Sequence, residues 1–306
     1  MNRVVKFIGS LVFFILSRLW SALCVVLKGK RRGTCVVLYY HAVLRQHREL
    51  FARQMDMLLR YSVPTSADRS EPLALGRRYA AVTFDDGYEC ILENALPELE
   101  KRRIPSTIFV VTEALGKFPF WLSDPSQPLR GERIMSLDQL RALPPDFATV
   151  GSHTLHHPKL TAMDGDDARR ELAESRAWLR RVLNREVGLF SFPYGIHSPN
   201  LVQCCRDAGY GRVFTITPTL AFSGPNEFVT GRVSVEPTDW PLEFRLKLLG
   251  AYRWLPLAFS MKKRALSVWN GLGTALGRSR PTNPNSQDAS VHSFASRAQS
   301  PPEKQN

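Results

Sequence analysis

Residues 33–240 are a succession of short apolar runs and longer amphipathic stretches. The runs are β-prone and bounded by turn residues, which predicts about seven strands. These strands occupy residues 35–40, 80–84, 107–111, 148–151, 187–192, 212–217 and 227–235. Apolar residues at helical spacing predict helices over 48–59, 88–102, 161–184 and 198–208. This alternation favours an α/β fold, which we interpret as a distorted (β/α) barrel.

The N-terminal segment is much more apolar than the rest. Residues 7–27 are long enough to span a bilayer and carry one charge, Arg18. On a helical wheel the polar residues share one narrow stripe: Lys6, Ser10, Ser17, Arg18, Ser21 and Lys28. This pattern suits a membrane span packed against a partner, or a helix that lies in the membrane interface. Basic residues at 28–32 favour the cytoplasmic side for the domain that follows.

Beyond Trp240 the composition changes twice. Residues 242–276 mix leucines and aromatics with basic residues, which predicts two basic amphipathic helices broken near Pro256. Such helices suit an anionic bilayer surface or a cover for the open end of the barrel, and both interpretations stay open. Residues 279–306 are polar and proline-rich, so we predict a disordered tail. The expected segments are therefore 1–32, 33–240, 241–278 and 279–306.

Charge indicates an anionic partner. The chain carries a formal charge of +13 and a pI near 9.8. Zinc-finger spacing, an aromatic RNA-binding signature and a recognition-helix pattern are all absent from the sequence, so we do not expect nucleic acid as the partner. A membrane surface fits the apolar and basic ends better. The five cysteines show no disulfide framework, which favours a reducing compartment.

Two stretches carry the chemistry. The predicted strand 80–84 ends in Asp85 and Asp86, and two buried carboxylates need a cation or hydrogen bonds to compensate for lost hydration. The alternative is that an aspartate caps the next helix. Downstream, His153 and His157 stand four residues apart, so a helical turn would place both imidazoles on one face.

Two histidines and one aspartate would form a three-ligand site of the catalytic zinc type, with a position left for water. The alternative for the histidine pair is an exposed pair without function. His156 is not assigned as a ligand, because next to His157 it would point elsewhere on such a turn.

At these residues the chain resembles the polysaccharide deacetylase family, also called NodB-homology or carbohydrate esterase family 4. The matching motifs are Thr83-Phe84-Asp85-Asp86-Gly87, His153-Thr154-Leu155-His156-His157 and Phe192-Pro193-Tyr194-Gly195. The resemblance implies that Asp86, His153 and His157 hold a divalent metal, most simply zinc, and that Asp85 is the general base. It also implies that Pro193, Tyr194 and Gly195 line the groove, with a backbone N–H near Tyr194 at the oxyanion.

The chain departs from the family pattern at two places. Ser191 stands where the family commonly has an arginine that orients the catalytic aspartate, and no Leu-x-His motif follows Tyr210. A circularly permuted branch of the family begins with a strand that ends in Tyr-His, and this chain has Tyr40-His41. By that resemblance His41 becomes the candidate general acid.

The expected activity is metal-dependent removal of N-acetyl groups from N-acetylhexosamine units of a polysaccharide or its lipid-linked precursor. Two alternatives remain open from the sequence. The same site could act as an O-acetyl esterase on a polysaccharide. The two departures could also mark a catalytically impaired, sugar-binding homologue.

Overall fold

The computed structural model of the 306-residue chain describes residues 2–28, 32–224 and 226–261. Most of the expected second amphipathic helix and the expected tail of residues 279–306 lie outside these ranges. The described cysteines Cys35, Cys90, Cys204 and Cys205 are free thiols, as the sequence predicts.

Within the described residues, nine strands form one sheet, and every pairing between these strands is parallel. They are β1 (Thr34–Tyr40), β2 (Val63–Pro64), β3 (Arg78–Phe84), β4 (Ser106–Val110), β5 (Ala148–Ser152), β6 (Leu189–Ser191), β7 (Arg212–Thr215), β8 (Val229–Gly231) and β9 (Val233–Ser234). Strands β1, β3 and β4 are buried over nearly their whole length. This burial explains why they read as continuous apolar runs rather than as alternating patterns.

The sheet closes on itself at Arg232. The strand order is β8-β7-β6-β5-β4-β3-β1-β9, with β2 paired beside β3. The two end strands are consecutive in the chain and are separated by Arg232 alone. β8 pairs with β7, and β9 pairs with β1. One extended segment therefore links both edges of the sheet into a nearly closed barrel, which confirms the predicted class. The predicted strand 227–235 is wrong as a single strand, and β2 was not predicted.

Eight helices are described along the chain. They are α1 (Arg3–Lys28), α2 (Arg48–Tyr61), α3 (Cys90–Asn94), α4 (Leu96–Lys101), α5 (Leu137–Arg141), α6 (Gly165–Leu183), α7 (Pro199–Asp207) and α8 (Pro241–Leu248). The predicted helix 88–102 is two helices, because Pro97 in the first turn of α4 has no N–H for a continuous helix. Asp164 caps α6, and Asp166 and Asp167 lie in its first turn, where the helix dipole favours acids.

Both ends of the described chain pack on the barrel. Phe7, Leu11 and Phe14 of α1 contact the main core, which also contains Phe244 and Leu246 of α8. α8 therefore packs against the barrel through Phe244 and Leu246. In the part of the chain that the structure describes, no helix combines the length and the apolar character needed to cross a membrane. The membrane span expected for α1 has no support in the structure.

Candidate functional site

Every predicted site residue follows the carboxyl end of a parallel strand. His41 follows β1, Asp85 and Asp86 follow β3, His153 follows β5, and the turn Pro193–Gly195 lies just beyond β6. These strand ends meet at one face of a barrel, where enzymes of this architecture place their active sites. The structure thus brings together residues that are more than 150 positions apart in sequence, from His41 to Tyr194.

Asp86, His153 and His157 form a buried cluster with metal-ligand geometry. One ligand atom of each residue lies within 4.8 Å of the others. Asp86 Oδ1 is 3.5 Å from Nε2 of His153 and 3.4 Å from Nε2 of His157. Asp86 Oδ1 has no hydrogen-bond partner among the described residues, although it is buried. An unpaired buried carboxylate oxygen between two imidazole nitrogens is a position that a cation would satisfy.

The backbone fixes the tautomer of His153. Its Nδ1 lies 2.7 Å from the carbonyl oxygen of Ser191. A carbonyl only accepts, so Nδ1 carries the proton and the neutral imidazole presents an unprotonated Nε2 to Asp86. A hydrogen bond of this kind on the far ring nitrogen is the usual support of a metal-binding histidine.

The histidines meet through an irregular loop, so the predicted helical turn is wrong. Thr154 and His157 have φ angles of 71° and 58°, which a right-handed helix does not allow. The Glu171 carboxylate holds this loop, because it accepts hydrogen bonds from the backbone N–H groups of Leu155 and His156. It also lies 2.6 Å from Nδ1 of His156. His156 therefore contacts α6 rather than the metal cluster.

Arg232 takes the place of the missing arginine. Its guanidinium is fully buried and forms two parallel hydrogen bonds of 2.7 Å to the two carboxylate oxygens of Asp85. It also donates to Ser191 Oγ at 2.7 Å. Ser191, at the position where the family commonly has an arginine, thus accepts a hydrogen bond from Arg232, which lies between β8 and β9 where the barrel closes. The sequence offered no local signal for this contact, since the two partners are 147 residues apart.

Burial and charge set the protonation of the site. Burial would raise the pKa of Asp85, but the charge and hydrogen bonds of Arg232, together with His153 and His41, outweigh it and lower this pKa to about 2. Burial and the neighbouring Asp85 charge raise the pKa of Asp86 well above its usual value. Burial also lowers the pKa of His153 to about 4 and that of His157 well below 6.5. Both imidazoles are therefore neutral, and neither of them offers Asp86 a positive charge that would stabilise its ionised form.

His41 and two aromatic side chains complete the site. His41 interacts electrostatically with Asp85, His153 and His157, and burial lowers its pKa. The Trp121 ring stacks on the His157 ring at 4.6 Å, and the Tyr194 ring meets it edge-on at 4.6 Å. Trp121 belongs to the long connection between β4 and β5, and nothing in the sequence showed that its ring contacts a histidine.

Backbone strain concentrates at this face of the barrel. Asp86 and Tyr194, like Thr154 and His157, have positive φ angles, of 69° and 58° respectively. Non-glycine residues in this region cost about 1–3 kcal/mol each and cluster at functional sites. At Gly195 the φ angle is 68°, and a Cβ would lie 2.2 Å from the Ile216 side chain, so only glycine fits there.

A parallel barrel with a buried Asp-His-His cluster at its carboxyl face has the architecture of many enzymes and a donor set that could hold a metal ion. The family model for polysaccharide deacetylase matches residues 74–213. Residues 74–213 therefore carry a polysaccharide deacetylase domain, which confirms the resemblance seen in the motifs.

Individual relatives agree with this assignment. YxkH of Bacillus subtilis strain 168, itself assigned to the polysaccharide deacetylases, is 21% identical over 222 residues, covering 69% of this chain and 75% of YxkH. A Staphylococcus aureus poly-β-1,6-N-acetyl-D-glucosamine N-deacetylase is 24% identical over 169 residues, covering 52% of this chain and 55% of the relative. The structure of IcaB from Ammonifex degensii superposes with a TM-score of 0.58 at 26% identity, covering 71% of this chain and 98% of IcaB.

Replacing Glu171 with alanine should weaken zinc binding by about 10–100-fold, because the loop that carries His153 and His157 loses its anchor. A titration against a chromophoric chelator measures this affinity. Glu174→Ala removes an exposed acid one turn further along α6 and serves as the matched control. Unchanged zinc affinity in Glu171→Ala would show that the loop holds its shape without this carboxylate.

Proposed function

We propose that this protein is a metal-dependent N-deacetylase that acts on N-acetylhexosamine units of a polysaccharide or its lipid-linked precursor. One observation carries the proposal. The Asp85 carboxylate, which accepts two hydrogen bonds from Arg232, lies beside the cluster of Asp86, His153 and His157 and interacts electrostatically with His41. This arrangement contains a base, a metal site and an acid at the same strand ends.

The cluster fits a divalent metal. Bond lengths of about 2.0–2.2 Å at tetrahedral angles separate two zinc ligands by about 3.3–3.6 Å. The measured separations of 3.5 and 3.4 Å around Asp86 Oδ1 fall in this range. Two neutral imidazoles and one carboxylate are also the donor set that catalytic zinc sites use. We propose that Asp86, His153 and His157 hold the metal, with zinc as the first candidate.

The residues around the cluster carry out the proton transfers of the proposed reaction. When bound, the metal supplies Lewis-acid polarisation of the amide carbonyl and makes water a nucleophile near neutral pH. Asp85 accepts the proton of the attacking water, and Arg232 keeps this carboxylate ionised and correctly oriented. A backbone N–H near Tyr194 donates to the oxyanion. His41 donates a proton to the amine, which leaves poorly without one.

The substrate class follows from the walls of the site and from the relatives. Trp121 lies beside the metal cluster and offers an aromatic face against which a sugar ring can stack. The Staphylococcus aureus relative is named for poly-β-1,6-N-acetyl-D-glucosamine. Both support an N-acetylglucosamine polymer. A lipid-linked precursor and a location at the cytoplasmic face of a membrane remain part of the proposal and rest on the apolar and basic ends of the chain.

The binding-homologue alternative loses its motivation. It rested on Ser191 and on the absence of a late histidine. Arg232 now orients Asp85, and His41 approaches the site from β1. The O-acetyl esterase alternative uses the same residues. Only the substrate that is cleaved, an ester or an amide, distinguishes the two activities.

Zinc-loaded protein should release acetate from N-acetylglucosamine oligomers, and chelation should abolish the release until zinc is restored. Asp85→Asn should lower this turnover by about 10²–10⁴-fold, because the proton acceptor is lost. Asparagine is preferable to alanine, since it keeps an acceptor for the buried Arg232 guanidinium. Enzymatic acetate detection measures both rates.

Assays with different acetylated substrates distinguish the N-deacetylase, the O-acetyl esterase and the sugar-binding protein. Release only from O-acetylated sugars would establish the esterase. A protein with stoichiometric zinc that releases no acetate from oligomers, lipid-linked sugars or O-acetylated sugars would contradict both enzyme proposals and favour a sugar-binding protein.

His41→Ala should lower turnover by about 10²–10⁴-fold while zinc stays bound, because the leaving amine loses its proton donor but the metal cluster is untouched. Steady-state kinetics and metal analysis on the same sample give both readouts. His47→Ala is the control, since burial alone shifts the pKa of His47. Full activity in His41→Ala would exclude this residue as the acid.

Arg232→Lys should lower turnover by tenfold or more with zinc content unchanged, because one ammonium cannot replace the two-pronged contact with Asp85. Arg212→Lys, at the start of β7, is the control. The double change Ser191→Arg with Arg232→Ser returns the arginine to its common family position and should recover part of the lost turnover. Wild-type turnover in Arg232→Lys would mean that Asp85 does not need the bidentate hydrogen bonds of an arginine.

A further inference from the structure

Helix α1 presents an uninterrupted apolar surface to the outside of the molecule. Among the α1 residues whose side chains are described, the exposed apolar ones fall, at about 100° per residue, within an arc of about 120° that contains no polar residue, and the exposed Arg3 lies outside it. We call this surface the outer arc: Val4, Ile8, Val12, Ile15, Leu16 and Leu19. Their side chains are between 45 and 65% exposed. A surface helix of a water-soluble domain normally turns polar residues to this side.

Two polar residues in the described part of α1 contact the protein instead. Arg3 forms an ion pair of 2.7 Å with Glu243 of α8 and donates to the carbonyl of Thr238. Ser10 is fully buried and accepts a 2.9 Å hydrogen bond from Trp254 Nε1. Ser10, one member of the polar stripe seen in the sequence, therefore faces the protein, whereas the outer arc faces away from it.

A second exposed apolar surface lies on the residues that directly follow Trp254 in the chain. Residues 255–261 are helical, and Leu257 and Met261 are 65% and 62% exposed, four positions apart and so on one side of this helix. Trp254 packs so closely on α1 that a Cβ at Gly9 would lie 2.4 Å from its ring. The two apolar surfaces thus belong to segments held together by direct contact.

We propose that the outer arc docks on an anionic lipid bilayer, with α1 fixed to the barrel and its apolar side in the acyl region. Charge selects this occupant. In the sequence, Lys28, Lys30, Arg31 and Arg32 follow the outer arc, and Lys262, Lys263 and Arg264 follow Met261. Such flanks complement acidic headgroups. A second copy of the chain carries the same formal charge of +13 and would be repelled by the first.

The topology orients the active site on such a membrane. Arg3 binds the loop that leaves the carboxyl end of β9, whereas the end of α1 leads to the amino end of β1. α1 therefore runs antiparallel to β1, and its first turn lies at the end of the barrel that carries the metal cluster. A bilayer along the outer arc would keep the mouth of the site beside the lipid surface.

Flotation of the full-length protein with lipid vesicles tests this proposal. Wild-type protein should float with vesicles of phosphatidylserine and phosphatidylcholine, and less with phosphatidylcholine alone or at high salt. Ile8→Glu with Ile15→Glu should lower the partition coefficient at least about tenfold. Leu59→Glu with Leu75→Glu adds the same charges at exposed leucines outside α1 and should float like wild type. Ile8→Ala with Ile15→Ala, which favours the helix, should give an intermediate value.

Several outcomes would overturn the proposal. Wild-type protein that stays unbound with acidic vesicles excludes the bilayer, and an outer-arc variant that floats like wild type excludes this surface. A lipid-free dimer in light scattering that the glutamate pair converts to a monomer, without vesicle binding, would assign the outer arc to a second copy. Acetate release from soluble oligomers is measured on the same samples, so a failure of docking is distinct from a failure of the deacetylase.

Discussion

The buried ion pair between Arg232 and Asp85 is the interaction on which the site depends. Two charges leave water here, and such a pair is stable only when the remaining donors and acceptors are satisfied. All five guanidinium N–H groups have acceptors: Thr215 O, Thr83 Oγ1, Ser191 Oγ and both Asp85 oxygens. Removing Arg232 would leave Asp85 charged and unpaired in the barrel interior, at a cost of about 3–5 kcal/mol.

This pair links barrel closure to the state of the metal cluster. Arg232 lies between the two strands that close the sheet, and Asp85 is adjacent to Asp86 in the chain. Ser191 contacts Arg232 through its hydroxyl and His153 through its carbonyl. Arg232, which binds Asp85, and His153 are therefore held by the same residue.

The sequence predicted the parts of this protein that depend on local patterns. The strands ending at Tyr40 and Phe84 are apolar runs followed by turn residues, and Asp85, Asp86, His153 and His157 follow strand ends as expected. What it missed depends on distant pairing. Arg232 lay in a predicted edge-like strand, where a charged side chain is ordinary, and only closure of the barrel turns it inward. Glu171 holds a loop whose backbone angles no residue pattern revealed.

Barrel closure also has a consequence for the nascent chain. β1, which carries His41, leaves the ribosome first among the barrel strands, and β9 leaves last. A chain that ends before Arg232 already contains all three residues of the metal cluster, yet Asp85 has no arginine partner and the sheet has two open edges. The contacts that orient Asp85 therefore form only after the last barrel strands have been synthesised, so this part of the site is the last to be assembled during translation of the barrel.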